Sequence, residues 1–249
     1  CTVPYFRGDI TREIDVVEEV GRVHGYDNIT VADSVEVRVP SSGGESDGRQ
    51  AVLDALAGMD FVECVTHSLI SVDAATPFLV DGEALLLLQD SRAAAEPVLR
   101  PSIIPSLLRV RKHNDDNGVK QLRIAELGSV FKLIGDRHEE HVELALLIDA
   151  KESDGIGQLR STLDRLCQVL TATKSVEVAP SEDAPWLEPA GTVSFNGKVV
   201  GKVGRLVTSI QKQWDVPNTI HLAQLDLNDL FATYPPEVVS KPLPTQPAI

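Results

Sequence analysis

Apolar residues recur at three- and four-residue spacing in some stretches and alternate or run together in others, so the chain divides into amphipathic helices and strands. Ile10, Ile14, Val17 and Val20 form a helical stripe near the start, with Asp9 placed to cap that helix and Gly25 to end it. YDNITV then returns to extended chain, and the small, polar run SSGGESDG at residues 41–48 has the composition of a linker. The pattern next predicts a helix over 51–56 ended by Gly58, strands over 61–70 and 84–89, and a helix over 103–113. Pro101 and Pro105 fall at or before the first turn of that last helix, where a missing N–H costs least. Strands over 122–133 and 142–148 are joined by the polar turn GDRHEE. Leu159, Leu163, Leu166 and Leu170 mark a helix over 157–171. Asn196-Gly197 is a hairpin signal, since a two-residue type I′ turn needs positive φ at both positions; it joins residues 192–195 to 199–203. A helix near 209–214 and a strand over 219–226 close the pattern.

Long strands joined by hairpins, with helices between groups of them, predict an α+β fold on a largely antiparallel sheet rather than repeated βαβ units. Aromatic residues are only 4% of the chain, so its core is expected to be aliphatic. A net charge of -14 argues against a surface devoted to nucleic acid, because phosphate binding needs an excess of cations. Any RNA contact must be local. The best candidate is residues 100–123, which carry Arg100, Arg109, Arg111, Lys112, Lys120 and Arg123, although a solvated helix face is the simpler reading. Cys1, Cys64 and Cys167 are far apart in sequence and suggest neither a disulfide framework nor a zinc site, which fits a reduced, cytoplasmic location. The apolar runs are too short for a membrane span, which needs about 20 residues. Both ends read as cuts within a longer chain.

The most suggestive chemical group is Asp9, Asp15, Glu18 and Glu19. On a helix the last three crowd one face, where like charges repel, and a hard cation such as Mg²⁺ or Ca²⁺ would relieve them. The plainer alternative is a capping Asp followed by a solvated acidic face. His138-Glu139-Glu140-His141 is not a metal-binding H-E-x-x-H and reads as a solvated turn, while His67 reads as a structural histidine in a strand. Trp186 and Trp214 are isolated and suit packing rather than base stacking, and no Walker phosphate loop occurs.

VPYFRGDITREIDVVEEVGRVHGYDNI is very similar to the end of the small B5 domain of bacterial-type phenylalanyl-tRNA synthetase beta subunits. EPVLRPSIIPSLLRVRKHN, LRIAELGSVF, GKVVGKVGRL and AQLDLNDL resemble further segments of that family, and together these cover nearly the whole chain. The resemblance implies the C-terminal part of B5 over 1–40, a linker over 41–48, and a class II synthetase catalytic-like (B6-B7) domain over 49–235. Residues 236–249 would lead to an anticodon-binding domain.

The resemblance further implies a degenerate active site. Arg123 and Glu126 echo the Arg-x-x-Glu of class II motif 2, but the strand after it offers no basic residue beyond its first His, and motif 3 is not recognisable. Cations of that kind hold ATP phosphates and stabilise the adenylation transition state. Catalytic and cofactor-binding residues are therefore expected to be none. In such an enzyme ATP is used at the alpha subunit, which attaches phenylalanine to tRNA(Phe) within an alpha2 beta2 heterotetramer. The same resemblance gives a Mg²⁺ shared with the alpha subunit, with ligands falling on Asp9, Asp15, Glu18 and Glu19. Two other readings stay open: a stand-alone Mg-dependent hydrolase and a non-enzymatic binding module.

Overall fold

Helix α1 (Glu13–His24) forms on the predicted aliphatic stripe and ends at Gly25, whose φ of 88° suits a residue without Cβ. The cap is not Asp9. Arg12 takes the N-cap position, and the Asp15 carboxylate accepts from the Thr11 and Arg12 backbone N–H groups at 2.9 and 2.8 Å. Asp15 thus ties the two residues that lead into the helix back onto its first turn. Residues Tyr26–Asn28, expected to be extended, wind into one 3₁₀ turn. The computed structural model describes residues 2–32, 34, 36–37, 44–89, 94–216 and 218–237. α1 belongs to the first of two units, Cys1–Ser41, and the second is Ser42–Ile249.

The second unit starts with α2 (Gly44–Ala57), β1 (Val62–Glu63), β2 (Leu69–Ile70), α3 (Val72–Ala75), β3 (Glu83–Ala84), β4 (Leu86–Leu87), β5 (Val98–Leu99) and α4 (Ile104–Asp116). It continues with β6 (Arg123–Ile134), β7 (Arg137–Asp149), α5 (Gly155–Thr171), β8 (Val176–Pro180), β9 (Leu187–Phe195) and β10 (Lys198–Leu206). The unit closes with α6 (Thr208–Gln213), β11 (Ile220–Asp226) and α7 (Asn228–Ala232). The main sheet runs β1-β6-β7-β11-β10-β9-β8, with β3 also pairing to β6. All its pairings are antiparallel except β1 with β6. A small sheet, β2-β5-β4, lies apart.

Both faces of the main sheet are covered. On one, α2, α5 and α7 pack through Val52, Leu56, Leu159, Leu163, Leu166, Leu170 and Phe231. On the other, α4 and α6 pack through Ile104, Leu107, Leu108 and Ile210. This two-sided burial explains the run Leu144–Ile148 of β7, which is apolar at every position instead of alternating. The Asn196-Gly197 turn joins β9 to β10 with φ of 51° and 78°, the backbone its sequence predicts.

Several expectations give way. Gly44 to Gly48, placed in a linker by composition, form the first turns of α2, because tertiary packing overrides the weak propensity of Gly and Ser; residues 41–43 lie outside the described residues, as do 238–249 of the expected tail. The strand over 61–70 is reduced to β1 and β2 with a loop between them, in which His67 is exposed rather than structural. The strand over 84–89 is likewise reduced to two short pieces. Of the turn GDRHEE only Gly135 and Asp136 turn, and His138 to His141 belong to β7, where they pair with Val130 to Leu133. β5, β8, α3 and α7 had no counterpart in the pattern.

Candidate functional site

In the first unit the four carboxylates meet different partners. Arg7 lies between two of them, its Nη2 2.7 Å from Asp9 Oδ2 and 2.7 Å from Glu19 Oε1. Glu19 also receives Arg22 at 2.6 Å, and hydrogen bonds from Arg7 and Arg22 hold its carboxyl down at about 2. Asp9 is likewise held below the usual carboxylate range by Arg7. Asp15 is lowered by the Thr11 and Arg12 backbone donors, and Glu18 is exposed. Among the described residues no three His, Cys, Asp or Glu side chains come together as a metal site. As arranged here, a guanidinium fills the place between Asp9 and Glu19 that a cation would need, so the donor set does not fit an ion within this chain.

The second unit carries a cleft of about 730 Å³ on the face of the main sheet that α4 leaves open, at the end marked by the β6–β7 hairpin. Ser102, Glu143, Gln224 and Trp186 form its floor. Trp186 Nε1 donates to Gln224 Oε1 at 2.8 Å, and Gln224 Nε2 donates to Ser102 Oγ at 2.9 Å and to Glu143 Oε2 at 3.2 Å. Glu143 Oε1 accepts from the Ile103 N–H at 3.0 Å. Burial pushes the Glu143 carboxyl above its ordinary value despite these donors. Trp186 is also held by Phe78, their rings 5.8 Å apart, so it packs and binds within the fold as expected.

The walls are charged. Lys132 pairs with Glu83 at 2.7 Å, and Lys202 donates to the Asp183 carbonyl while its ammonium sits 5.6 Å from the centre of the Trp186 ring. Five carboxylates line the cleft (Glu83, Glu139, Glu140, Glu143 and Asp226) against three cations, of which Arg137 is the only arginine among the described residues. That lining repels a polyphosphate. His138, Glu139, Glu140 and His141 all border this cleft, and among the described residues no three such side chains come together as a metal site.

The residues of the motif 2 echo are separated. Arg123, three positions before Glu126 on β6, leaves on the opposite side of the sheet. Its guanidinium lies 5.3 Å over the Phe61 ring and donates to the Met59 carbonyl at 3.0 Å. Glu126 instead pairs with Arg100 at 2.8 Å and accepts from Thr66 Oγ1 at 2.7 Å. The basic stretch 100–123 divides, Arg100 and Arg111 being buried while Arg109 and Lys120 are exposed. Arg111 Nε lies 2.6 Å from Asp149, an ion pair by distance without a well-directed hydrogen bond. At the surface Arg109 pairs with Glu96, and Lys112 with Asp116 and Asp215. Cys64 is half-buried and its thiol is pushed up to about 11 by burial, which leaves it a poor nucleophile. Sequence reasoning missed the floor residues Ser102, Glu143 and Gln224. Glu143 was the visible signal, a lone acid opening an apolar run in the middle of a strand.

No helix among the described residues is long and apolar enough to cross a membrane. The fold is similar to that of pyrrolysyl-tRNA synthetase from Desulfitobacterium hafniense. One such structure has a TM-score of 0.62 at 15% identity, covering 92% of this chain and 81% of that one. Another has a TM-score of 0.62 at 16% identity, covering 74% and 66%. The phenylalanine–tRNA ligase beta subunit of Bacillus licheniformis is 30% identical over 100% of this chain, and that of Geobacillus kaustophilus 29% identical over 99%. The chain spans 32% of the length of each of these relatives. Residues 1–26 match the tRNA synthetase B5 domain. Residues 34–227 match the phenylalanyl tRNA synthetase beta chain CLM domain, and the chain belongs to that family.

Proposed function

We propose that this chain is a non-catalytic core of the beta subunit of a phenylalanine–tRNA ligase, supporting the ATP-dependent attachment of phenylalanine to tRNA(Phe) by a separate alpha subunit. The observation that carries this reading is the cleft. It sits on a class II-like sheet, yet its lining is dominated by carboxylates, and the one motif 2 arginine lies across the sheet from it. Adenylation needs cations where the triphosphate develops charge. The role left to this unit is to hold a partner that has them, in an alpha2 beta2 assembly.

Pyrophosphate exchange tests the reading. The chain alone, given phenylalanine, ATP and magnesium, is expected to give no exchange above background, and adding the alpha subunit to give it. Exchange by the chain alone overturns the proposal. Failure of the alpha subunit to co-purify with the chain removes the scaffold role.

A magnesium role for Asp9, Asp15, Glu18 and Glu19 belongs to the same reading, with the ion shared with the alpha subunit. It requires Arg7 to release Asp9 and Glu19 on assembly. Asp15 is the least available of the four, because it already serves two backbone donors. Magnesium content of the purified assembly, compared with that of an Asp9→Ala/Glu19→Ala variant, distinguishes a shared ion from a merely solvated acidic face.

A further inference from the structure

Asn-Gly occurs twice in the chain, at Asn117-Gly118 after α4 and at Asn196-Gly197 in the β9–β10 turn, and both pairs are exposed. The dipeptide is chemically labile, because a glycine without Cβ lets its peptide nitrogen approach the carboxamide carbon of the asparagine before it. At Asn117 that route is occupied. The Gly118 N–H donates to the Asp115 carbonyl at 2.9 Å, and Asn117 Nδ2, the nitrogen that would have to leave, donates to the His113 carbonyl at 2.8 Å. Both hydrogen bonds must break before the nitrogen can attack.

At Asn196 the route is open. Neither Gly197 N nor Asn196 Nδ2 makes a hydrogen bond among the described residues, and a Cβ placed on Gly197 would meet nothing within 4 Å. The turn around them is fixed: Asn196 N donates to the Ser175 carbonyl at 2.9 Å, and Lys198 pairs with Phe195. The carboxamide is fixed through its oxygen alone. Asn196 Oδ1 accepts from the Thr173 hydroxyl at 2.6 Å, with Thr171 Oγ1 2.9 Å behind that hydroxyl. Negative charge collects on Oδ1 when the carboxamide carbon is attacked, so a donor already in place there stabilises the transition state more than the ground state.

We propose that Asn196 is a self-modification site, where the Gly197 nitrogen displaces ammonia from the carboxamide and Thr173 supports the developing oxyanion. Solvent base takes the Gly197 N–H proton, the nitrogen bonds to Asn196 Cγ, and the Cγ–Nδ2 bond breaks, Nδ2 leaving as ammonia with a proton from water. Water then opens the succinimide ring at either carbonyl, giving aspartate or isoaspartate, and no oxidant or cofactor is consumed. Isoaspartate adds a methylene to the main chain of a two-residue turn and so disturbs the pairing of Phe195 with Lys198. The cleft residues Val199 to Lys202 of β10 follow directly. The site is independent of the beta-subunit role, since its chemistry needs neither tRNA nor a partner chain.

The test is peptide mapping by mass spectrometry of the folded chain aged at mildly alkaline pH, with isoaspartate scored by enzymatic methyl transfer from S-adenosylmethionine. Asn196 is expected to convert at least fivefold faster than Asn117. In concentrated urea, where both pairs are the same free dipeptide, the two rates should converge. Thr173→Val, a change at an exposed side chain, should slow Asn196 by about threefold or more, well short of the roughly hundredfold loss of a donor in an enclosed oxyanion hole, because water competes here. Asn117 should keep its rate in that variant, and Thr173→Ser, which retains the hydroxyl, should keep the parent rate at Asn196. A folding defect cannot imitate this pattern, since it moves both sites together toward their rates in urea. Equal rates at the two sites of the folded chain, or a Thr173→Val rate at or above the parent's, would overturn the proposal.

Discussion

Arg100 and Glu126 form an ion pair closed off from water, Nη1 standing 2.8 Å from Oε1 with each side chain 2% exposed. The pair joins the residue after β5 to the middle of β6. Further hydrogen bonds hold it in place: Arg100 Nε donates to the Ser129 carbonyl, and Thr66 serves both partners. Removing one member strands the other charge in the interior, at a cost of about 3–5 kcal/mol. Arg100→Met and Glu126→Leu should each lower the unfolding free energy, measured by urea titration, by that order, and the double variant should lose clearly less than the two together. Additive losses in this cycle would show that the residues do not act as a pair.

His221 gives the chain a pH dependence. Burial, aided by the nearby Arg205, holds its imidazole below the ordinary 6.5. The unfolded chain therefore takes up the proton first as pH falls, so the contribution of His221 is complete above about 6.5 and declines below it. His141 is lowered in the same sense, and Glu143 and Asp149, raised by burial, act in the opposite one. The clean measurement is a difference: urea stability should fall more between about pH 7.5 and 5.5 in the parent chain than in His221→Gln. Equal slopes would remove His221 as the source.

The same ring limits what can start α5. A Cβ added to Gly155 would stand 2.1 Å from His221 Nδ1, and the imidazole is buried in β11 with little room to retreat. Gly155→Ala should destabilise the fold by about 1–3 kcal/mol through overpacking. In a His221→Ala background most of that loss should disappear, as read by thermal unfolding.

At the other end of α5, Ala172 closes the helix in the left-handed region at φ 58°. Strain of about 1–2 kcal/mol accompanies that conformation in a residue with Cβ, against about 0.4–1 kcal/mol of extra unfolded-state freedom for glycine. Ala172→Gly should therefore raise stability by roughly 0.5 kcal/mol. A lower midpoint would place the end of the helix elsewhere.

What the sequence disclosed and what it concealed follow from how local each determinant is. The Asn196-Gly197 turn and the stripe of α5 are set by residues a few positions apart, and both were legible. The chain divides at Ser41/Ser42, where composition placed the boundary, but residues 44–48 are helical because Gly48 is held under Phe231 and Tyr234, residues distant in sequence. Arg100 and Arg111 looked solvated because the acids that bury them, Glu126 and Asp149, are distant in sequence and arrive by sheet pairing. The separation of Arg123 from Glu126 could have been foreseen, since an odd spacing on a strand sends two side chains to opposite faces.

That parity fixes which face of the sheet Arg123 serves. β6 is matched residue for residue with β7 along its whole length, so turning Arg123 to the face that carries the cleft would mean sliding the strand by one position, and Arg123 would still stand at the opposite end of β6 from the cleft residues Lys132 and Ile134. Such a slip would turn Ile124 and Val130 into the opposite core along with it and exchange the linings of both cores. No single substitution at Arg123 undoes this, because its side of the sheet is set by the pairing of the whole strand and not by the side chain itself.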